Sequence, residues 1–143
     1  MVLFLVIACN NDDADFMVQL NEPFLAVRGE KYTCITDDGD IIIEIKDIED
    51  RRVRERDCDV VSDPGAAVLS IDISFNENKK SYQLNYLGCT ITEGNPNDSS
   101  LPSIQLENDY TLRMFDILPY SPNMKFEDRV SLKDYEIKFI IIK

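Results

Sequence analysis

Apolar and polar positions alternate over short stretches of this chain, which is the pattern of half-buried β-strands. The clearest stretch is AAVLSIDISF at 66–75, whose alternate apolar residues are Ala67, Leu69, Ile71, Ile73 and Phe75. A second, IIIEIKDI at 41–48, has Ile41, Ile43 and Ile45 on one face. We expect these two faces to line a common core.

Further strand-like runs lie on either side of these two. They are FLAV (24–27), KYTCI (31–35), SYQLNYL (81–87), CTIT (89–92), YTLRMFDIL (110–118) and DYEIKFIII (134–142). Asp38-Gly39 predicts a hairpin turn, and Asn76 to Lys79 predicts a second one. The Gly-, Pro-, Asn- and Ser-containing segment 93–103 predicts a loop. Only 48–59 could be helical, and its apolar spacing is poor.

Short strands separated by turns predict an all-β fold, an antiparallel β-sandwich or partly closed barrel of about seven to nine strands. A chain of 143 residues suits one domain with a real core. No internal repeat or second domain is evident, so we expect a single β-sandwich domain over 22–143.

The N-terminal segment MVLFLVIACNNDDAD predicts an export signal rather than a strand. VIAC at 6–9 fits a lipobox, in which a small residue precedes the cysteine that becomes lipidated. We expect 1–8 to be part of a longer lipoprotein signal peptide, because the apolar run is short and no basic residue precedes it. Cys9 would carry the lipid and 9–21 would be a flexible acidic tether. A buried first strand over residues 2–8 is the alternative, disfavoured by the polar NNDDAD that follows.

The net charge and the absence of histidine exclude several classes of binding and catalytic activity. A net charge of −12 argues against nucleic-acid binding, because it repels phosphate backbones. The chain has no histidine, which excludes Ser-His-Asp and Cys-His catalysis and any histidine-containing metal site. Carboxylate chemistry and hard-cation binding remain open, but no carboxylate pair is singled out by spacing. Because the chain also has no C-x-x-C pair and no residue pattern that indicates a cofactor, we expect no metal and no cofactor.

Four cysteines are present, at 9, 34, 58 and 89. If Cys9 carries lipid, three thiols remain in an oxidising compartment, which suits one disulfide and one free thiol. We favour Cys58–Cys89, with Cys34 buried as a small apolar residue. A Cys34–Cys89 bridge and no bridge at all remain open, because connectivity cannot be read from spacing.

Two charged segments are candidate sites. Asp37-Asp38-Gly39-Asp40 could supply oxygen ligands to Ca²⁺, but a hairpin turn explains every residue of it. Arg51, Arg52, Arg54 and Arg56 form a candidate recognition loop within 50–65, since clustered arginines can clamp a carboxylate or phosphate. The alternative is a solvated loop whose charges pair with neighbouring acids.

The order of these features resembles a group of small secreted or lipid-anchored β-domain proteins common in Bacteroidetes. The resemblance covers about 20–143 and is carried by LNEPFLAVRGEKYTCITDDGDIIIEIKDIEDRR, YTLRMFDILPYSP and DYEIKFIIIK. Asp50-Arg51-Arg52 lies where the group has Asp-Ser-Arg, Val53 replaces its first loop cysteine, and Cys58 matches the second. The resemblance implies the β-domain fold in a secreted or lipid-anchored protein, and the group has no established catalytic activity that it could transfer to this chain.

Three functions follow as hypotheses. The first is a non-enzymatic, lipid-anchored protein of the cell envelope, in the outer membrane and exposed at the surface, whose monomeric β-sandwich binds an unknown protein or small ligand or has a structural role. The second is a protein-interaction or protease-inhibitor-like module that uses the arginine-rich loop, an analogy at the level of fold. The third is a hydrolase that depends on carboxylates.

Overall fold

The structure is a computed structural model that describes residues 15–53, 58–60, 62–90, 94–118 and 135–143. Nine strands lie in these residues: β1 (Asp15–Val18), β2 (Phe24–Ala26), β3 (Lys31–Thr36), β4 (Gly39–Asp50), β5 (Ala66–Phe75), β6 (Asn78–Leu87), β7 (Ser103–Gln105), β8 (Thr111–Leu118) and β9 (Glu136–Ile142). A short 3₁₀ turn at Glu107–Asp109 joins β7 to β8. The described part of the chain contains no helix that could span a membrane.

The strands form two sheets, in the orders β1-β3-β4-β5-β6 and β2-β9-β8-β7. All neighbouring pairs are antiparallel except β1 and β3, which are parallel. The described strands close no barrel, and the fold is that of an all-β sandwich. This confirms the fold class expected from the alternating pattern.

The core lies between the two sheets. The alternating residues of β4 and β5 face it as the sequence predicts, and Ile41, Ile43, Ile45, Ala67 and Leu69 are fully buried. The other sheet contributes fully buried Leu112, Met114, Ile117, Ile137, Phe139 and Ile141. Burial of aliphatic and aromatic side chains on this scale is the main force that holds the sheets together.

Both predicted hairpins are present. β3 and β4 are joined through Asp37-Asp38, where the Thr36 hydroxyl donates to the Gly39 carbonyl at 2.6 Å. β5 and β6 are joined through Asn76 and Glu77, which have φ angles of 48° and 69°. Positive φ at both central residues is the geometry of two-residue turns that match the twist of the strands.

Two expectations about the chain are corrected here. The segment 48–59 is no helix in its described residues, because β4 continues through Asp50. The flexible tether expected at 9–21 does not include Asp15–Val18, because these residues form β1 and pair with β3. The Phe16 ring stacks on the Tyr32 ring at 5.5 Å, and the Asn21 amide donates to the Ile141 carbonyl at 2.8 Å. Apolar contacts therefore bring 15–21 into the domain, whereas 1–14 lie outside the described residues.

Candidate functional site

The candidate recognition loop begins where β4 leaves the sheet, and its side-chain directions are set by a bulge. Ile45 pairs with Ile71 and Asp47 pairs with Ser70, so Lys46 is an extra residue in β4. An extra residue reverses which side chains face the core along the rest of a strand. The even-numbered Ile48 and Asp50 therefore point inward.

Asp50 and Arg52 form a buried ion pair. The Arg52 Nε donates to Asp50 Oδ1 and Nη2 donates to Asp50 Oδ2, each at 2.9 Å. Only 3% of the arginine side chain and 5% of the aspartate side chain are exposed. This two-point geometry is the strongest form of an arginine–carboxylate contact.

The pair also joins the two sheets. Arg52 Nη1 donates to the Ile117 carbonyl of β8 at 3.4 Å, and the Tyr135 hydroxyl donates to Asp50 Oδ2 at 2.9 Å. Burial opposes ionisation of Asp50, but the hydrogen bonds and charge of Arg52, with help from Tyr135, outweigh it and lower the pKa of the carboxyl. Asp50 is therefore a buried, ionised carboxylate whose charge is stabilised by Arg52 and Tyr135.

The Cys58–Cys89 disulfide, which the sequence analysis favoured, lies at this same end of the sandwich, with a Cα–Cα distance of 5.6 Å. Cys34 is a free and fully buried thiol, and burial raises its pKa.

Two glycines pack the chain tightly beside the Cys58–Cys89 bridge. A Cβ on Gly65 would lie 2.1 Å from the Arg51 carbonyl oxygen, and one on Gly88 would lie 2.0 Å from that of Pro64.

Arg51 points the opposite way from Arg52. Its guanidinium pairs with the Glu49 carboxylate on the outer face of the sheet, where 70% of the arginine side chain is exposed. It lines a shallow groove of about 420 Å³ with Glu49, Val53, Asp63, Gly65, Ala66 and Val68. Two acids and one arginine line this groove, so its described residues do not favour an anionic ligand.

The structure does not bring Arg51 and Arg52 together as the candidate arginine clamp requires; each of them pairs with a neighbouring acid instead. Arg52 forms a buried ion pair with Asp50, and Arg51 pairs with Glu49 on the opposite, exposed face of the strand. Successive residues of an extended chain point to opposite faces, which separates these two arginines. Arg54 and Arg56 lie outside the described residues, as does Cys9.

The acidic turn at the opposite end of the sandwich has a structural role. The Tyr110 hydroxyl donates to Asp38 Oδ2 at 2.8 Å, and Lys143 Nζ donates to the same oxygen. The Lys143 ammonium, followed by the Tyr110 hydroxyl, lowers the pKa of Asp38. The turn thereby ties β8 and the end of β9 to the β3–β4 hairpin.

No group of three or more Cys, Asp or Glu side chains able to hold a metal ion occurs in the described ranges.

Sequence reasoning missed both of these polar clusters. Tyr135 is 85 residues from Asp50 and Lys143 is 105 residues from Asp38, so no local spacing connects them. The closeness of Asp50 and Arg52, two apart on an extended segment, was the one available signal, since such residues share a face of a strand.

Comparisons with protein families, with curated proteins and with solved structures find no match to this chain.

Proposed function

We propose that this chain is an exported, lipid-anchored protein of the cell envelope whose β-sandwich acts by binding or as a structural element rather than as an enzyme. The observation that carries the proposal is the Cys58–Cys89 disulfide. Structural disulfides persist in oxidising compartments and are rare in the cytosol of most organisms. A bridge within the domain supports export, and the lipobox-like VIAC supports anchoring through Cys9.

The two buried carboxylates of the described residues support a non-catalytic role. The buried carboxylates of Asp50 and Asp116 contact Arg52 and Lys138, at 2.9 and 3.5 Å respectively. Catalytic acids and bases need access to substrate and a pKa near the working pH. The lowered pKa of Asp50 in a closed, hydrogen-bonded setting favours a stabilising part for it.

The test is the chemistry of the mature N-terminus. Protein purified from membranes of the native host is digested without reduction, and its peptides are measured by mass spectrometry. We expect an N-terminal peptide that begins at Cys9 and carries a diacylglyceryl group, together with a peptide pair linked by Cys58 and Cys89. A chain that retains residues 1–8, or that has free Cys58 and Cys89, would contradict the proposal.

A second candidate function, a protein-interaction module, is favoured by Val60. This residue follows Cys58 in the loop held by the disulfide, and 80% of it is exposed. The disulfide fixes this loop beside the end of β6, and a loop held in place in advance loses less entropy when it binds another protein. If the loop serves this purpose, Val60→Asp should abolish co-purification of the partner while Leu87→Asp, at an exposed apolar residue of β6 outside the loop, should not.

A further inference from the structure

The two edge strands β1 and β2 lie along the same side of the sandwich. The ring of Tyr32 on β3 is 5.5 Å from the Phe16 ring of β1 and 5.7 Å from the Phe24 ring of β2. At the other side, Lys80 of β6 and Glu107 after β7 form an ion pair of 3.7 Å. The molecule therefore has a β1–β2 side and a β6–β7 side, separated by the width of the sheets.

Exposed apolar side chains are concentrated on the β1–β2 side. The described residues include six large hydrophobic side chains that are clearly exposed, and four of them belong to β1, β2 or the adjacent β3. Ile35 lies two residues beyond Thr33, the partner of Met17, so these two side chains share the outer face. Met17 (61% exposed) and Ile35 (66%) lie on the outer face of one sheet, Leu25 (49%) on that of the other, and Phe16 (46%) at the rim between them. Together they surround the β1–β2 edge, and we call them the edge patch.

The length of chain before β1 indicates what covers this patch. Asp15 follows Cys9 by six residues, which even fully extended span only about 20 Å. Had 9–21 been a free tether, as the sequence predicts, the domain could have stood well away from a membrane. Because β1 starts at Asp15, a lipid on Cys9 keeps the edge patch within reach of the bilayer surface.

We propose, on the basis of the lipid anchor proposed above, that the edge patch rests on the lipid bilayer and fixes the orientation of the sandwich. Phe, Met, Leu and Ile are residue types that insert into the boundary between headgroups and acyl chains. The contact is apolar rather than electrostatic, because a net charge of −12 is repelled by anionic lipids. The occupant is therefore a zwitterionic lipid surface.

This orientation determines which surface faces away from the membrane. Four strand spacings separate β1 from β6, a distance of about 19 Å across the sheet. β6 would then present its ten-residue edge, with Lys79 and Lys80, to the surroundings.

The test uses the absence of tryptophan from the chain, because a single introduced tryptophan reports its own surroundings. Met17→Trp places the reporter in the patch, and Leu87→Trp is the matched control at the opposite edge, since the two residues are 61% and 60% exposed. The full-length lipidated proteins are reconstituted into phosphatidylcholine vesicles that contain a brominated phosphatidylcholine as quencher. Ile35→Trp is a second patch reporter if Met17→Trp disturbs folding.

We expect the patch tryptophan to lose most of its emission, because interfacial residues lie about 5–10 Å into the boundary where the bromines reach it. The Leu87→Trp emission should be unchanged. Equal quenching of both reporters, or quenching of neither in vesicle-bound protein, would overturn the edge contact while leaving the lipid anchor in place. Protein that carries no lipid and does not bind vesicles would overturn the anchor, and this inference with it.

Discussion

Arg52 and Asp50 meet through two hydrogen bonds of 2.9 Å inside the fold, although both belong to a segment dense in exposed charges. The bulge at Lys46 turns Asp50 inward, and the arginine two residues later completes the pair. Hydrogen bonds to Ile117 and Tyr135 then connect the pair to the second sheet. One extra residue in β4 thus turns this ion pair into the interior, where it connects the two sheets.

Arg52→Ala should strongly destabilise the fold, because it leaves the buried Asp50 carboxylate without its cation. Removing one partner of a buried pair typically costs about 3–5 kcal/mol. Arg51→Ala is the matched control, because the neighbouring arginine is exposed and pairs only at the surface, where such pairs contribute about 0–1 kcal/mol. Urea unfolding of both variants with the disulfide intact measures the difference. Equal losses of unfolding free energy in the two variants would refute the conclusion that Arg52, and not Arg51, stabilises the fold.

Acid should destabilise the protein through its paired carboxylates. The pKa of Asp50 and that of Asp38 are lowered in the folded state, the first by Arg52 against the effect of burial and the second by Lys143. A carboxyl with a lowered folded pKa stabilises the fold fully above its unfolded pKa of about 3.9 and loses that contribution as the pH falls through the folded pKa. We expect the free energy of unfolding to be flat from pH 7 to about pH 5 and to fall below it.

The control for this acid dependence is the double variant Asp50→Asn with Arg52→Met, which removes both charges together. Its free energy of unfolding should fall less steeply between pH 5 and pH 2, because one of the stabilising carboxylates is gone. The measurement is urea unfolding at each pH for both proteins. Superimposable pH profiles would show that Asp50 does not titrate with a lowered pKa.

Gly65→Ala should cost more stability than Gly94→Ala. The two glycines have φ angles of +66° and +69°, so a side chain is strained at both by about 1–2 kcal/mol. Only at Gly65 would the new Cβ also lie 2.1 Å from the Arg51 carbonyl oxygen, whereas no atom of the described residues lies within 4 Å of a Cβ at Gly94. Thermal or urea unfolding of the two variants isolates this clash. Similar losses of unfolding free energy in the two variants would mean that the backbone beside the disulfide moves aside at little cost.

The strands and their facing residues were predictable because each depends on neighbours in sequence. The alternation in 66–75 identifies the inward side of β5, and Asp38-Gly39 predicts the hairpin before β4, although the turn itself is Asp37-Asp38 and Gly39 already begins the strand. A regular period is enough for such elements, since the side chains of a strand alternate between its faces. The preference for a Cys58–Cys89 pair rested on the loop position of Cys58 and the strand-edge position of Cys89, with other pairings left open, and the structure contains that bridge.

The features that escaped prediction depend on contacts distant in sequence. Nothing local marks Lys46 as a bulge, so the inward turn of Asp50 could not be anticipated. β1 is only four residues long and follows an acidic run, yet pairing with β3 and stacking of Phe16 on Tyr32 recruit it. Tertiary contacts override weak local preference in both places.

The central claim is that Cys9 anchors the protein by a covalent lipid, and metabolic labelling tests it most directly. Cells of the native host that express the wild-type chain, Cys9→Ser or Cys34→Ser are grown with a fatty-acid analogue that can be tagged. We predict label on the wild type and on Cys34→Ser, whose altered thiol is buried, and none on Cys9→Ser. Equal labelling of all three proteins, or of none, would contradict the account.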